Sequence, residues 1–222
     1  MNKLVIVGTG ETAAIAHEYF THDSHYTVVG FSVEQAYLKE PLLNGLPVVP
    51  LEELHLYYPP TEFAVFVAVS STKLNRVRTR LFRSVKGRGY TCASYVSSRA
   101  FVWHNVIIGE NCFVFENNTI QPFVTIGDNV ILWSGNHIGH NTVIRDNCFI
   151  ASHVVISGFC DIGENCFLGV NSTVINNITV AKDGFIGAGA LIQKDTEEGK
   201  VYQSVGTETS KVGSLRLFRI KE

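Results

Sequence analysis

An aliphatic residue recurs at every sixth position through the second half of the chain. From Val96 to Ile192, all seventeen positions of this series are Val, Ile or Leu. Six residues correspond to three periods of a β-strand, so the side chains of the series all point to the same side. This period constrains the fold more than any other feature, because a fixed repeat indicates stacked structural units.

Small residues accompany the aliphatic series. The residues two positions before it are expected to point inward as well, and most are small, as at Cys112 and Ser172. The residue after it is often Gly or Ala, as at Gly109, which we interpret as a tight bend every six residues. Three such bends make a triangular prism with a coil of about 18 residues. The sequence therefore predicts a domain over residues 93–222 that consists of a parallel β-helix, with about five coils between Val102 and Ile192, and a C-terminal tail.

The first half of the chain reads as alternating strands and helices. Apolar strands are expected at residues 4–7, 26–31 and 65–69, and helical spacing at residues 11–20 and 74–85. Strands that alternate with helices favour a small parallel sheet. We therefore predict an α/β, Rossmann-like domain over residues 1–92.

Composition narrows the range of functions. The net charge is −2 and the pI about 6.4, so no nucleic-acid partner is expected, and we interpret the basic run at residues 76–88 as a solvated helix face. The longest apolar runs have the length of strands, and the N-terminal residues reach glycine too early for a signal peptide. We expect no membrane partner and a cytoplasmic protein. Five cysteines without a CxxC pair argue against a zinc site or a disulfide framework.

A glycine-rich turn follows the first predicted strand and opens the first helix. In the sequence Gly8-Thr9-Gly10-Glu11, the glycines allow close approach of a phosphate to the helix N-terminus. The second strand ends at Ser32, and an acid appears only at Glu34, which makes a nucleotide sugar a better fit than NAD. Candidate substrate-binding residues also follow a later strand, at the same sheet edge: Ser70, Ser71 and Lys73.

Histidines in the repeats are candidates for acid–base chemistry. His140 lies two positions after Ile138, at a corner and pointing outward, and Gly158, one coil later, leaves space beside it. An imidazole near neutral pH suits a general base. His153 is expected at a different corner, and His137 on a flat strand. Asn118 and Asn136 occupy inward positions one coil apart, where their side-chain amides can form a ladder. Asn136 is also a candidate for shaping the site near His140.

Three segments carry a resemblance to a known family. They are Asn136–His140, Cys166–Asn171 and Gly187–Gly189, and with the six-residue period they resemble hexapeptide-repeat acyltransferases. With the N-terminal α/β domain, the chain is similar to nucleotide-aminosugar N-acetyltransferases and to sialic-acid O-acetyltransferases. The resemblance implies a left-handed β-helix, acetyl-CoA as acyl donor, a nucleotide-linked amino sugar as acceptor, no metal and a homotrimer.

The resemblance also implies roles for individual residues. His140 matches the position of the family's catalytic base, and Asn141 stands where an acidic residue commonly orients that base. Phe149 replaces a second histidine that is often found in relatives. The main chain at Gly158, Val170 and Ala188 matches positions that contact the pantetheine between neighbouring prisms, and Lys194 is a candidate phosphate partner. Bulky outward residues fit an assembly of prisms: Phe113, Phe115, Phe123, Trp133, Phe149 and Phe167.

Two other classes of function stay open at this point. The chain can be a sugar O-acetyltransferase, which transfers the acyl group to a hydroxyl. It can also be a non-catalytic scaffold or ligand-binding protein. A zinc site built from His137, His140 and His153 of adjacent prisms is a version of the latter, although their corners do not obviously converge.

Overall fold

The computed structural model describes residues 2–220. Its N-terminal part is a mixed five-stranded sheet with the order β3-β4-β2-β1-β5, in which only β3 is antiparallel to its neighbour. The strands are β1 (Lys3–Val7), β2 (Thr27–Val33), β3 (Leu42–Leu43), β4 (Leu46–Pro50) and β5 (Phe63–Val67). The helices are α1 (Glu11–His22), α2 (Leu54–Tyr57) and α3 (Arg76–Gly87), with short 3₁₀ turns at Gln35–Tyr37 and Leu51–Glu53. The alternation of strands and helices predicted for this half is present; the Rossmann-like assignment stays a prediction.

The N-terminal sheet is covered on both faces. Strand β1 is buried from Leu4 to Val7, as expected for a central parallel strand whose two faces are both covered. On one face, Leu4 and Ile6 pack with α1 and with residues of the coil. On the other face, Val5 and Val7 pack with α2 and α3. The sheet is therefore held between its own helices and the second half of the chain.

The second half is a coil of two-residue strands, stacked in three parallel sheets that we call faces 1, 2 and 3. Face 1 contains Phe101–Val102, Thr119–Ile120, His137–Ile138, Val155–Ile156, Thr173–Val174 and Leu191–Ile192. Face 2 contains Ile107–Ile108, Thr125–Ile126, Val143–Ile144, Asp161–Ile162 and Thr179–Val180. Face 3 contains Tyr95–Val96, Phe113–Val114, Ile131–Leu132, Phe149–Ile150, Phe167–Leu168, Phe185–Ile186 and Val201–Tyr202. A short helix, α4 (Ser214–Leu217), follows. The three stacked parallel sheets fit a left-handed β-helix.

The predicted period of the coil is confirmed. His137 pairs with Thr119 below and Val155 above, which is a register of 18 residues. Every strand of the coil between Val96 and Ile192 ends on a member of the aliphatic series, and most of the series is buried. Cys112, Cys148, Cys160 and Cys166 are buried inside the coil, as predicted.

The bends of the coil are made by a different residue from the one predicted. Where a glycine follows a strand, as at Gly139, its φ is ordinary, and a Cβ there would lie 2.5 Å from the backbone of Ser157 and Gly158 in the next coil. The left-handed backbone occurs two residues later, as at Asn141 (φ 58°). Asn tolerates this conformation better than most residues. Close stacking therefore explains the glycines, and a recurring left-handed residue makes the bend.

The outward aromatic residues of face 3 form the interface between the two halves. Phe113, Phe115 and Phe149 are buried, and Trp133 and Phe167 pack against the same cluster, which includes Ala16 and Phe20 of α1. Phe115 and Trp133 stack with ring centroids 4.4 Å apart. The expectation that these residues cover a contact between prisms is wrong for all of them except Phe123, which is exposed. Hydrophobic burial inside one chain accounts for the others.

Arg78 corrects the interpretation of residues 76–88 as a wholly solvated face. Its side chain is fully buried, and burial lowers its pKa to about 10. The guanidinium donates to the carbonyls of Ser70 (2.7 Å), Asn147 (3.1 Å) and Cys148 (3.1 Å). Arg76 and Arg80 are exposed, as predicted. One cation of the basic run thus fastens α3 to the coil.

Candidate active site

His140 lies at the edge where face 1 passes into face 2, which we call vertex 1–2. Vertex 2–3 and vertex 3–1 are the edges that follow faces 2 and 3. Because the coils stack in an 18-residue register, one position of vertex 1–2 is occupied by a column of residues, one per coil. From bottom to top the column is His104, Pro122, His140, Gly158, Asn176 and Lys194. His140 is thus near the middle of the prism edge and exposed.

The imidazole of His140 has a partner on one of its two nitrogens. Its Nδ1 lies 3.1 Å from Oδ1 of Asn141, and its backbone N–H donates to Oε1 of Gln121 at 3.0 Å. An amide oxygen only accepts, so this contact favours the tautomer with hydrogen on Nδ1. Nε2 then has a lone pair available to accept a proton. The sequence leaves the orienting partner of His140 open, and in the structure Asn141 contacts its Nδ1.

Gly158 lies directly against Nε2 of His140. A Cβ at this position would lie 3.0 Å from Nε2 and 3.1 Å from Cε1, so any larger residue would crowd the basic nitrogen. The N–H of Gly158 donates to Oδ1 of Asn176 at 3.1 Å, so it is not free to bind an oxyanion. The space predicted beside the imidazole is present.

The four positions predicted to contact CoA fall at two different edges. Gly158 and Lys194 belong to vertex 1–2, with His140. Val170 and Ala188 belong to vertex 3–1, where they stack in consecutive coils. One chain therefore does not bring all four together. They can line one channel only where vertex 1–2 of one prism approaches vertex 3–1 of another.

The other histidines lie apart from His140 within one chain. His153 is at vertex 3–1 with a left-handed backbone (φ 58°), and its ring lies over Gly135, where a Cβ would approach it to 2.6 Å. His137 is on a strand of face 1, as predicted. The sequence predicts an ordinary outward-facing residue on a flat strand, and the half-buried position of His137 fits this prediction. His153 stays a candidate substrate-binding residue only across a contact between chains.

Asn136 is a structural residue of the coil. Its amide donates to the carbonyl of Trp133 and accepts the N–H of Val154 at 2.7 Å, so both of its polar ends are bonded inside the protein. Asn118 likewise donates to the carbonyls of Phe115 (2.8 Å) and Trp133 (2.9 Å). The expected ladder of stacked amides between these two residues is wrong, because each of them bonds to backbone. The amide of Asn136 is not available to a substrate.

A cleft of about 700 Å³ lies at the carboxyl ends of β1, β2 and β5. Gly8 has a φ of 128°, and a Cβ there would lie 2.7 Å from the carbonyl oxygen of Ala68, so only glycine fits the turn. Gly10 is the N-cap of α1 and has open space where a Cβ would be. Glu11 follows it in the first turn of the helix. The cleft thus opens onto a helix N-terminus, where backbone N–H groups attract anions.

The predicted serines and lysine of this edge divide into two groups. Ser70 and Lys73 line the cleft. Ser32 does not: its side chain is fully buried, and its carbonyl accepts the N–H of Gly8 at 2.7 Å. Ser71 accepts the N–H of Asn75 through its carbonyl, and it is not among the residues that line the cleft. Ser32 and Ser71 therefore shape the turns instead of contacting a ligand in the cleft.

Glu34 occupies the side of the cleft where a dinucleotide-binding domain needs a free acid. Arg80 donates to both of its carboxylate oxygens, at 2.7 and 2.9 Å, and these hydrogen bonds lower the pKa of Glu34. Its carboxylate is already engaged and does not offer a free pair of acceptors to a ribose. This arrangement supports the preference for a nucleotide sugar over NAD.

The cleft and His140 lie on opposite sides of the prism in one chain. Helix α1 packs on face 3, and Tyr19 of α1 donates to Glu116 at vertex 3–1 at 2.8 Å. Asn75, which precedes α3, donates to the carbonyls of Asn165 and Cys166 at vertex 2–3. In a triangular prism, vertex 1–2 is the edge opposite face 3. A ligand in the cleft therefore does not contact His140 of its own chain.

Neither a metal cluster nor a membrane span is found among residues 2–220. No group of three or more His, Cys, Asp and Glu side chains in this range is arranged to hold a metal ion. His137, His140 and His153 do not converge within the chain. Of the helices in the same range, none combines the length and hydrophobicity that crossing a membrane requires.

Comparison with protein families identifies the repeats. Residues 105–139 and 123–158 match the family described as bacterial transferase hexapeptide (six repeats). A search of curated proteins finds no match.

Comparison with solved structures identifies the fold of nearly the whole chain. Perosamine N-acetyltransferase from Caulobacter crescentus, as a histidine-to-asparagine variant in complex with CoA and GDP-perosamine, is 24% identical, with 93% of this chain and 98% of that chain covered and a TM-score of 0.83. The acetyltransferase domain of PglB from Neisseria gonorrhoeae is 22% identical, with coverage of 92% and 100% and a TM-score of 0.82. WeeI from Acinetobacter baumannii is 17% identical, with coverage of 89% and 94% and a TM-score of 0.55. The resemblance to hexapeptide-repeat acyltransferases is therefore confirmed in the repeats themselves and in the two-part fold that the chain shares with these structures.

Proposed function

We propose that the chain is an acetyl-CoA-dependent N-acetyltransferase that acts on a nucleotide-linked amino sugar, with His140 as general base. The observation that carries this proposal is the arrangement around one imidazole: Asn141 bonds Nδ1, and Gly158 keeps the space beside Nε2 clear. Such an imidazole is oriented for accepting a proton from an incoming nucleophile. The shared fold with an N-acetyltransferase in complex with CoA and GDP-perosamine supports the same chemistry.

The proposed reaction uses His140 for one proton transfer. The neutral amine of the sugar attacks the thioester carbonyl, and Nε2 of His140 takes the proton that the nitrogen loses. The C–S bond then breaks, the CoA thiolate leaves and takes a proton from water, and His140 releases its proton to solvent, which restores the base. Asn141 stabilises the imidazolium by accepting its Nδ1–H. The oxyanion donor is a group other than the N–H of Gly158, because Asn176 already binds that hydrogen.

The nucleotide part of the acceptor is assigned to the N-terminal cleft. Gly8, Gly10 and the start of α1 suit a diphosphate, and Ser70 and Lys73 add polar contacts at the same edge. This use of the turn is what the Rossmann-like prediction implies. On the coil, Gly158, Val170, Ala188 and Lys194 are the proposed contacts of CoA.

A complete site requires two chains. The cleft lies on the side of face 3 and His140 at the opposite vertex, so the sugar of one chain is presented to His140 of another. Vertex 3–1 of the chain that presents the sugar can supply Val170, Ala188 and His153 to the same channel. A homotrimer is the closed arrangement in which every vertex 1–2 finds such a partner.

A sugar O-acetyltransferase is the second candidate. A hydroxyl needs stronger base assistance than a neutral amine, and a carboxylate beside Nδ1 would provide it. Asn141 is neutral, so the residue pair favours the amine. A scaffold without activity is the third possibility, and turnover in the assay described below would exclude it.

The test is release of the CoA thiol with a panel of nucleotide-linked amino sugars and their hydroxyl analogues. We expect turnover with an amino sugar, and a loss of at least about 100-fold in kcat for His140→Ala. His104→Ala is the matched control, because His104 stands in the same column two coils below, and it should keep full activity. Full turnover in His140→Ala would contradict its role as base. Activity only with hydroxyl analogues would favour the O-acetyltransferase, and metal analysis of the purified protein tests the zinc scaffold.

A further inference from the structure

Phe159 has a backbone conformation that its side chain does not favour. The left-handed position recurs every six residues along the coil, and fourteen such positions lie between Asn111 and Gly189. Eleven of them are Asn, Asp or Gly, the residues that tolerate a positive φ. The exceptions are Phe123 (φ 64°), His153 (φ 58°) and Phe159 (φ 58°). A bulky residue is kept in this conformation only when another interaction compensates for it.

Hydrophobic burial does not provide that compensation within the chain. Phe159 is 55% exposed and Phe123 is 62% exposed. Both lie at vertex 1–2, one coil above and one coil below Asn141. Burial does not explain the strain at either residue, so the contacts of each ring decide which of the two acts at His140.

Phe159 differs from Phe123 in one contact. Its ring lies edge-on to the imidazole of His140, with centroids 5.0 Å apart and planes at 88°. Its backbone N–H also donates to the carbonyl of His140 at 3.0 Å. The ring of Phe123 has no comparable contact with any described residue. His140 is therefore held from one side by Asn141 and from the other by Phe159.

We propose that Phe159 is a positioning residue, which holds the imidazole of His140 with Nε2 at the gap left by Gly158. This inference rests on the proposed function of His140 as base. Edge-to-face packing of the phenyl ring restricts rotation of the imidazole. Nε2 of His140 is then held in the orientation that proton transfer needs. An Asn at this position would adopt the same backbone conformation but has no ring to pack against His140.

The experiment compares Phe159→Asn with Phe123→Asn, which replaces Phe at the equivalent position 36 residues earlier. Both variants introduce the residue that the chain uses at most of its left-handed positions, so both should unfold at a higher temperature than wild type. Phe159→Asn should lower kcat about tenfold with both KM values within about twofold, and Phe159→Tyr should restore kcat. Phe123→Asn should keep wild-type kcat. A variant that gains stability and loses kcat separates positioning from a structural role.

A second measurement does not depend on turnover. NMR of the imidazole protons of His140 should show a ring-current shift that Phe159→Asn removes and Phe123→Asn keeps. If Phe159→Asn removes the shift but wild type releases no CoA thiol with any sugar, the proposed function is refuted. The contact between Phe159 and His140 is still demonstrated in that case. Unchanged kcat in Phe159→Asn, a raised KM for acetyl-CoA at unchanged kcat, or dissociation of the assembly by that substitution would each overturn the positioning role.

Discussion

At the scale of single residues, the glycines of this chain are required for different reasons. Gly8 is required by a positive φ and by the carbonyl of Ala68, whereas Gly139 is required by the next coil. Gly10 is required by neither, since its φ is −88° and a Cβ would be in open space. A glycine without a local structural reason, at the N-cap of a helix and beside a cleft, is consistent with close approach of a ligand.

Gly10→Asp should therefore separate stability from binding. Asp is a favoured N-cap residue, so the free energy of unfolding should stay the same or rise by about 0.5 kcal/mol. Its carboxylate would stand where the phosphates of the nucleotide are expected, and we predict a rise of at least about tenfold in the Kd of a nucleoside diphosphate. Calorimetric titration measures the Kd, and Gly10→Asn is the control of equal size without the charge. Equal affinities of the two variants would show that the phosphates lie elsewhere.

At the scale of elements, α3 is attached to the coil by a buried cation. Arg78 donates to carbonyls of both halves, at Ser70 and at Asn147 and Cys148. Around it, side-chain amides of vertex 2–3 bond to one another in consecutive coils, from Asn111 to Asn129 at 2.9 Å and from Asn129 to Asn147 at 2.8 Å. The ladder expected inside the coil thus exists at a vertex, where the left-handed asparagines lie.

Arg78→Met should weaken the junction strongly. The substitution leaves several buried carbonyls without their donor, and we predict a loss of about 3 kcal/mol in the free energy of unfolding. Arg83→Met changes an exposed arginine of the same helix and should stay within about 0.5 kcal/mol of wild type. Denaturant unfolding followed by circular dichroism makes the comparison. Equal effects of the two substitutions would mean that water replaces the guanidinium at the junction.

At the scale of the whole molecule, the chain separates its two candidate sites. The N-terminal half covers the aromatic residues of face 3 with α1 and contacts vertex 2–3 through Asn75 and Arg78. Vertex 1–2 remains uncovered, with His140 exposed on it. Because His140 and the cleft are on opposite sides of the prism, each of them can face a different neighbouring chain.

Mixing two impaired variants tests this division. His140→Ala lacks the base and Gly10→Asp has a weakened nucleotide site, so at a sugar-nucleotide concentration well below the Kd of Gly10→Asp each should retain only a small fraction of wild-type turnover alone. If each site combines His140 of one chain with the cleft of another, trimers refolded from an equal mixture should contain about one quarter intact sites. Thiol release from the mixture, compared with each variant refolded alone, measures this fraction. An inactive mixture of correctly assembled trimers would mean that each chain uses its own cleft and base.

The sequence by itself determined the coil, its register and much of the candidate site. The six-residue period assigned each residue to a face or a vertex, and this was enough to bury Cys148, to place Gly158 against His140 and to separate His153 from it. The glycine turn after β1 was equally readable, since a strand, two glycines and a helix are local features. These predictions succeeded because periodicity reports the direction of a side chain relative to its own element.

Only the tertiary structure decided what covers an outward-pointing side chain. Phe113 and Phe149 point outward from the prism, and they are buried because α1 lies on that face. Arg78 shares a helix face with Leu81 and Val85, and its partners in the coil are carbonyls about 50 to 70 residues further along the chain. Ser32 lies near the end of β2, where the sequence predicts a cleft residue, but its side chain is fully buried by the residues around it. In each case the deciding contact joins residues far apart in sequence, and no local period contains information about such a contact.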